Sequence, residues 1–172
     1  MIKRLLVPLD GSELAEEALV IAGDLAESLD GVIVLARVVP PPVPGRFYAP
    51  NLLEQVREAQ TREAEAYLAS AAERLKEDRL HVETRVEAGE VATTLVRLAE
   101  QERCQLIVMG SHGLGGLGWH VFGSVAQKVL HASRCPVLIV RPTPVEMERE
   151  EEIEEREADA ALLSELAGGE TS

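Results

Sequence analysis

Residues 106–124 read LIVMGSHGLGGLGWHVFGS: four apolar residues, a glycine-rich stretch and the start of a helical pattern. Six of the chain's thirteen glycines lie between Gly110 and Gly123. A strand, a glycine loop and a helix start in that order form an anion-binding device. The loop turns its backbone N–H groups inward, and the helix N-terminus adds free donors and the positive end of a dipole. Two familiar glycine motifs fail here. Gly118 and Gly123 have P-loop spacing, but Ser124 follows Gly123 with no intervening lysine. Gly113 to Gly118 fit the dinucleotide pattern G-x-G-x-x-G, yet they follow the fourth strand instead of the first. The region downstream, Val137-Leu138-Ile139-Val140, is apolar where an acidic residue belongs.

Outward from this stretch, the hydrophobic pattern alternates strands with helices. Arg4 to Leu9 reads as a buried first strand, and Ser12 as the cap of a helix with Leu14, Ala18, Ile21, Ala22, Leu25 and Leu29 on one face, ended by Gly31. Val32 to Val39 is an apolar strand interrupted only by Arg37. Five prolines between Pro40 and Pro50 make a stiff loop. Residues 51–78 are helical. His81 to Val86 alternates as an edge strand does, and Gly89-Glu90 leads into a helix through Val91, Leu95, Leu98 and Ala99. Residues 105–109 form the fourth strand, 124–132 a fourth helix and 136–140 a fifth strand. This alternation implies an α/β fold with a parallel sheet covered on both faces.

Three separated motifs then carry a resemblance. They are Val7-Pro8-Leu9-Asp10-Gly11-Ser12, Gly110-x-x-Gly113 with nine residues before Gly123-Ser124, and Cys135-Pro136-Val137-Leu138-Ile139-Val140. Together, over residues 1–142, the chain resembles the universal stress protein family in its ATP-binding branch. The resemblance implies a doubly wound open five-stranded parallel sheet with strand order 3-2-1-4-5. Winding then reverses between strands 1 and 4, and open α/β sheets bind ligands at the carboxyl ends of such strands. The resemblance implies ATP or another adenine nucleotide with Mg or Mn, and a homodimer through Pro136–Val140.

The nucleotide-binding residues expected on this basis are Pro8, Leu9, Asp10, Val38, Met109, Gly110, His112, Gly113, Gly123, Ser124 and Val125. Asp10 is either a helix cap shared with Ser12 or a contact to adenine, ribose or the nucleotide's divalent metal. Leu9 and Val38 fall where the resemblance places apolar contacts to adenine. Gly110, Gly113 and Gly123 form a backbone cradle, and turn residues with positive φ are the plainer reading. Ser124 either caps the helix or also donates to a phosphate, and Val125 brings a free N–H at the first turn. Ser111 and His112 suggest catalysis, but no G-x-S-x-G elbow is present. Trp119 and His120 read as packing or dimer contacts, His81 and His131 as surface residues. Arg37 stands where the family often has histidine.

Composition limits the alternatives. The 172 residues fit one α/β domain, and 46% hydrophobic with 3% aromatic content makes the core aliphatic. No apolar run reaches membrane-spanning length, and no signal peptide is evident, so a cytoplasmic place is expected. Cys104 and Cys135 show no disulfide or zinc pattern and read as small buried hydrophobes. Net charge is −13, of which residues 145–172 carry −9, leaving −4 for residues 1–144. A mildly acidic body without a basic stripe argues against nucleic acid. Residues 145–172 read as an acidic tail, partly helical or disordered, whose Ala158–Leu166 segment is amphipathic. No general base, nucleophile or metal cluster is evident. The expectation is therefore a regulatory protein that signals by nucleotide occupancy to an unknown protein partner, with at most slow ATP hydrolysis. The alternatives are a metal-dependent nucleotide hydrolase using Asp10 and His112, and a nucleotide-free dimeric adaptor.

Overall fold

The structure is a computed structural model that describes residues 1–41, 50–77, 79–112 and 122–141. The elements run β1 (Arg4–Pro8), α1 (Glu13–Leu29), β2 (Val32–Val39), α2 (Pro50–Glu77), β3 (His81–Ala88), α3 (Val91–Gln101), β4 (Leu106–Gly110), α4 (Ser124–Ala132) and β5 (Val137–Val140). The strands form one sheet in the order β3-β2-β1-β4-β5, with every neighbouring pair parallel. The expected fold class and strand order are both found. Residues 42–49 of the proline-rich segment, Gly113, Trp119, His120 and the acidic tail lie outside the described residues.

Strand parity divides the apolar residues between two layers. Leu5, Val7, Ile33, Leu35 and Val108 pack beneath α1 and α2, while Leu6, Val34, Ile107 and Met109 pack beneath α3 and α4. The central strands are apolar throughout because helices cover both faces. Full burial of each such side chain contributes about 1.5–3 kcal/mol. Ser12 caps α1 as expected, accepting from the Ala15 N–H at 3.3 Å. The helix ends at Asp30, not Gly31. Asp30 takes the left-handed conformation (φ 49°), and the Gly31 N–H closes on the Ala26 carbonyl at 2.8 Å.

Strand β3 is the amphipathic edge that its sequence suggests, two residues longer than expected. Val82 and Val86 face the α2 layer. Its opposite face carries Glu83 and Arg85, which enter an ion-pair network at the amino end of the sheet. The Arg4 guanidinium donates to both Glu83 carboxylate oxygens, at 2.9 and 3.1 Å, and to Glu102 at 2.9 Å. Arg85 donates to the same two carboxylates, at 2.8 Å to Glu83 and 2.6 and 3.1 Å to Glu102. The hydrogen bond from Arg4 holds the Glu83 carboxyl below the usual glutamate range, against a partial desolvation cost.

The other edge is β5, which starts at Val137 because Pro136 has no N–H for the ladder. Val137, Leu138 and Ile139 are only half-buried, not buried on both faces as their apolarity suggests. Ile107 N–H donates to the Pro136 carbonyl at 3.0 Å and Ser111 N–H to the Val140 carbonyl at 2.7 Å. In a parallel ladder this alternation points the Leu138 and Val140 polar groups at β4. It points those of Val137 and Ile139 outward, toward an edge that no described strand covers.

Candidate functional site

At the carboxyl end of the sheet, β1 and β4 part company. The chain leaves β1 toward α1 and leaves β4 toward α4, so a crevice opens between them. The cavity there holds about 530 Å³. That lies within the roughly 300–1,000 Å³ span of small-molecule sites. Ten of the eleven expected residues line it: Pro8, Leu9, Asp10, Val38, Met109, Gly110, His112, Gly123, Ser124 and Val125. The eleventh, Gly113, lies outside the described residues. Sequence reasoning missed Gln60 and Glu63 from α2, and Val91 and Leu95 from α3, which also line the cavity. Their only sequence signal is helical periodicity, which does not say over which strand end a helix will lie.

Ser111 ties the base of the glycine loop. Its N–H extends the ladder to Val140, and its carbonyl accepts from the Gly123 N–H at 2.9 Å. Its hydroxyl lies 2.9 Å from His112 Nδ1, and the residue is fully buried. The loop therefore leaves and returns at one residue. Gly123 sits close against this closure. A Cβ there would sit 3.3 Å from the Ser111 carbonyl oxygen and 3.5 Å from His112 Cα.

Gly123 is also the N-cap of α4, with φ −57° and no capping side chain. Ser124 is the first helical residue and does not cap, because the Gly123 carbonyl takes the first helical bond, from Gln127 N–H at 3.0 Å. The N–H groups of Ser124, Val125 and Ala126 consequently have no acceptor within the helix, and all three residues line the cavity. Such a terminus attracts an anion through its donors and its dipole.

Gly110 differs from the loop residue that the sequence suggested. It closes β4, opposite Val140. A Cβ on it would stand 2.9 Å from Leu14 Cβ and 3.1 Å from the His112 carbonyl oxygen. Close approach of α1 to β4 therefore demands glycine there. Neither Gly110 nor Gly123 has positive φ; among the described glycines only Gly11 (φ 90°) and Gly89 (φ 151°) do.

Asp10 follows β1 and is tied to the cap of α1. Its Oδ1 accepts from the Ser12 N–H at 3.0 Å and from the Ser12 hydroxyl at 2.6 Å. It orients the residue that caps α1 while still lining the cavity. Arg37 reaches the same region, with its guanidinium 5.0 Å from the Tyr67 ring centroid and close to Gly11. Among the described residues, no group of three or more His, Cys, Asp or Glu is placed to hold a metal ion. No described helix is long and apolar enough to cross a membrane.

The sheet order and the switch-point crevice define an open, doubly wound α/β protein with its cavity at the strands' carboxyl ends. Residues 1–141 match the model of the universal stress protein family, and the chain belongs to that family. It is 33% identical to universal stress protein YxiE of Bacillus subtilis (strain 168) over 148 residues, which are 82% of this chain and 100% of the relative. The solved structure of protein MJ0577 superposes with a TM-score of 0.75 and 27% identity, covering 84% of this chain and 99% of that one. A universal stress protein solved in complex with cAMP superposes at 0.62 with 26% identity, covering 81% and 97%.

Proposed function

We propose that this crevice binds ATP or another adenine nucleotide and that the protein acts by its occupancy, as a cytoplasmic regulator in a stress response. The observation that carries this reading is the α4 terminus. Three backbone N–H groups without helical acceptors face a cavity of about 530 Å³, above a loop closed by a glycine whose Cβ would stand 3.3 Å from the Ser111 carbonyl oxygen. In this reading the phosphates lie on Ser124, Val125 and the glycine loop, including Gly113. Leu9 and Val38 offer adenine an apolar wall, and Met109 and Pro8 complete the floor. Asp10 meets the ribose, the adenine or the Mg or Mn that the phosphates carry. A metal would arrive on the nucleotide, since the described residues supply no cluster of their own. A relative of similar fold was solved with cAMP, which supports an adenine ligand.

Binding without efficient turnover fits the fully buried Ser111, whose hydroxyl is engaged with His112 Nδ1 at 2.9 Å. Residues 1–144 would form the nucleotide-binding domain and 145–172 a solvated acidic appendage. No basic stripe recommends nucleic acid as a partner, and an unidentified protein would read the occupied state. Titration calorimetry on nucleotide-stripped protein tests the reading. One ATP per chain is expected, with cAMP and AMP competing for the same site. No binding of any adenine nucleotide would refute it.

The outward Val137 and Ile139 groups, on a strand of half-buried apolar residues, recommend a homodimer paired through β5. Light scattering should show a dimer at tens of micromolar. Ile139→Pro removes an outward N–H and should give a soluble monomer. Leu138→Pro removes an N–H that serves β4, so it should damage the fold instead. A dimer that survives Ile139→Pro would place the interface elsewhere.

A further inference from the structure

The two cysteines are 31 positions apart in sequence, yet they lead into neighbouring strands at the same end of the sheet. Cys104 precedes β4 and Cys135 precedes β5. In the parallel register of these strands, Ile107 stands opposite Val137. Carried back two residues, that register sets Cys135 opposite Gln105, the residue after Cys104; adjacent strands run about 4.8 Å apart, and a disulfide needs Cα separations of about 4.4–6.8 Å. Parity alone would send the two side chains to opposite faces of the sheet. The turn at Arg103 (φ 53°) corrects this, with Cys104 N–H returning to the Ala99 carbonyl at 2.8 Å. It folds Cys104 back under α3, into the apolar layer against which Cys135 also packs. Both thiols are free, and both line a second cavity of about 390 Å³, away from the nucleotide crevice.

We propose that Cys104 and Cys135 are an oxidisable thiol pair that closes to an intramolecular disulfide on exposure to a peroxide. The assignment stands on the shared cavity, the shared layer and the adjacent strands, and it does not depend on the nucleotide reading. The two sulfurs are not equivalent. Cys135 is half-buried and reachable by a small oxidant, whereas Cys104 is 8% exposed. Burial raises the Cys104 thiol to about 11, so its thiolate is scarce at neutral pH. Cys135 therefore reacts first. Its thiolate attacks a peroxide oxygen of hydrogen peroxide, breaking the O–O bond and giving a sulfenic acid and, after proton transfer, one water. The Cys104 sulfur then displaces the sulfenic oxygen, which leaves with a proton as a second water. Two thiols and one hydrogen peroxide become one disulfide and two waters, the thiols supplying both electrons. The covalent ring so formed contains β4, the glycine loop and α4. The link joins the entries to β4 and β5 and constrains the loop between them.

The full-length protein, freed of reductant, is treated with hydrogen peroxide and then alkylated without reduction. Intact mass should fall by two hydrogens per chain, and a proteolytic digest should hold a linked Cys104–Cys135 peptide pair, with no covalent dimer on a non-reducing gel. Cys104→Ala, a volume-tolerant change at a buried site, should arrest the reaction at a Cys135 sulfenic acid trapped by dimedone. Cys135→Ser should leave Cys104 unoxidised. The proposal is overturned if both thiols remain alkylatable, if Cys135 gains oxygens without forming the linked pair, or if the disulfide joins two chains.

Discussion

The two ends of the sheet treat charge and hydrogen bonding in opposite ways. At the amino end, Arg4, Arg85, Glu83 and Glu102 satisfy one another through six hydrogen bonds, and no ligand is needed. At the carboxyl end, the first turn of α4 presents N–H groups to a cavity, with a glycine where a capping side chain could have stood. The same strands join both ends. Self-satisfied polar groups hold a fold together, whereas donors kept open toward a cavity serve something that arrives from outside. On this comparison, substitutions at the amino end should change stability alone, and those at the carboxyl end should divide between packing and binding.

The largest effect should come from Gly110→Val, at the strand end where α1 and β4 touch. The added Cβ would fall within 2.9 Å of Leu14 Cβ. Overpacking of this kind costs about 1–3 kcal/mol. Because the contact is backbone-fixed, a thermal melt should drop by roughly 2–12 °C. An unchanged melting temperature would return Gly110 to the role of a loop residue. Gly123→Val comes next. It crowds the Ser111 carbonyl at 3.3 Å, beside the cavity. ATP affinity should weaken by more than tenfold, which is about 1.4 kcal/mol, with a small change in melting temperature. Equal losses in both quantities would blur the contrast between the ends.

Glu102→Ala removes the carboxylate that Arg4 and Arg85 share, and nucleotide affinity should not change. Its side chain is 19% exposed. Allowing for solvent screening, the expected loss is about 1 kcal/mol in a denaturant titration, smaller at high salt. Acid should have a related effect through Glu83. Its folded-state value is depressed, so its stabilisation is complete above the ordinary glutamate value of 4.5 and is lost as pH falls through the lower folded value. The stability gap between the wild type and Glu83→Gln should therefore be constant at neutral pH and close as pH falls below that value. A gap that widens in acid would reverse the assignment. Smallest of all should be removal of residues 145–172, which should leave melting temperature and ATP affinity nearly unchanged.

Much of this contrast was legible in the sequence, but unequally. Element boundaries fell within a residue or two for most elements because continuous apolar strands and 3.6-residue periodicity are local signals. The crevice residues were legible because Asp10 and Gly110 sit at strand ends and Gly123 at a helix start, where chain order and the switch point converge. The sequence did not show why each glycine is there. Gly110 answers to Leu14, 96 positions away, and Gly123 to the Ser111 carbonyl. Both demands arise only when the chain has folded. The amino-end network was invisible for the same reason: Arg4 meets partners 79 and 98 positions on. Cys104 and Cys135 likewise read separately as small hydrophobes, since only the turn at Arg103 brings them to one layer.

Nuclear magnetic resonance of the 18.7 kDa chain during ATP addition tests the central claim most directly. The largest amide shifts should fall on Ser124, Val125 and Ala126, with Asp10, Val38 and Gly123 following, while Glu83, Arg85 and Glu102 hold still. Shifts centred on the amino-end network, or none at saturating nucleotide, would contradict it.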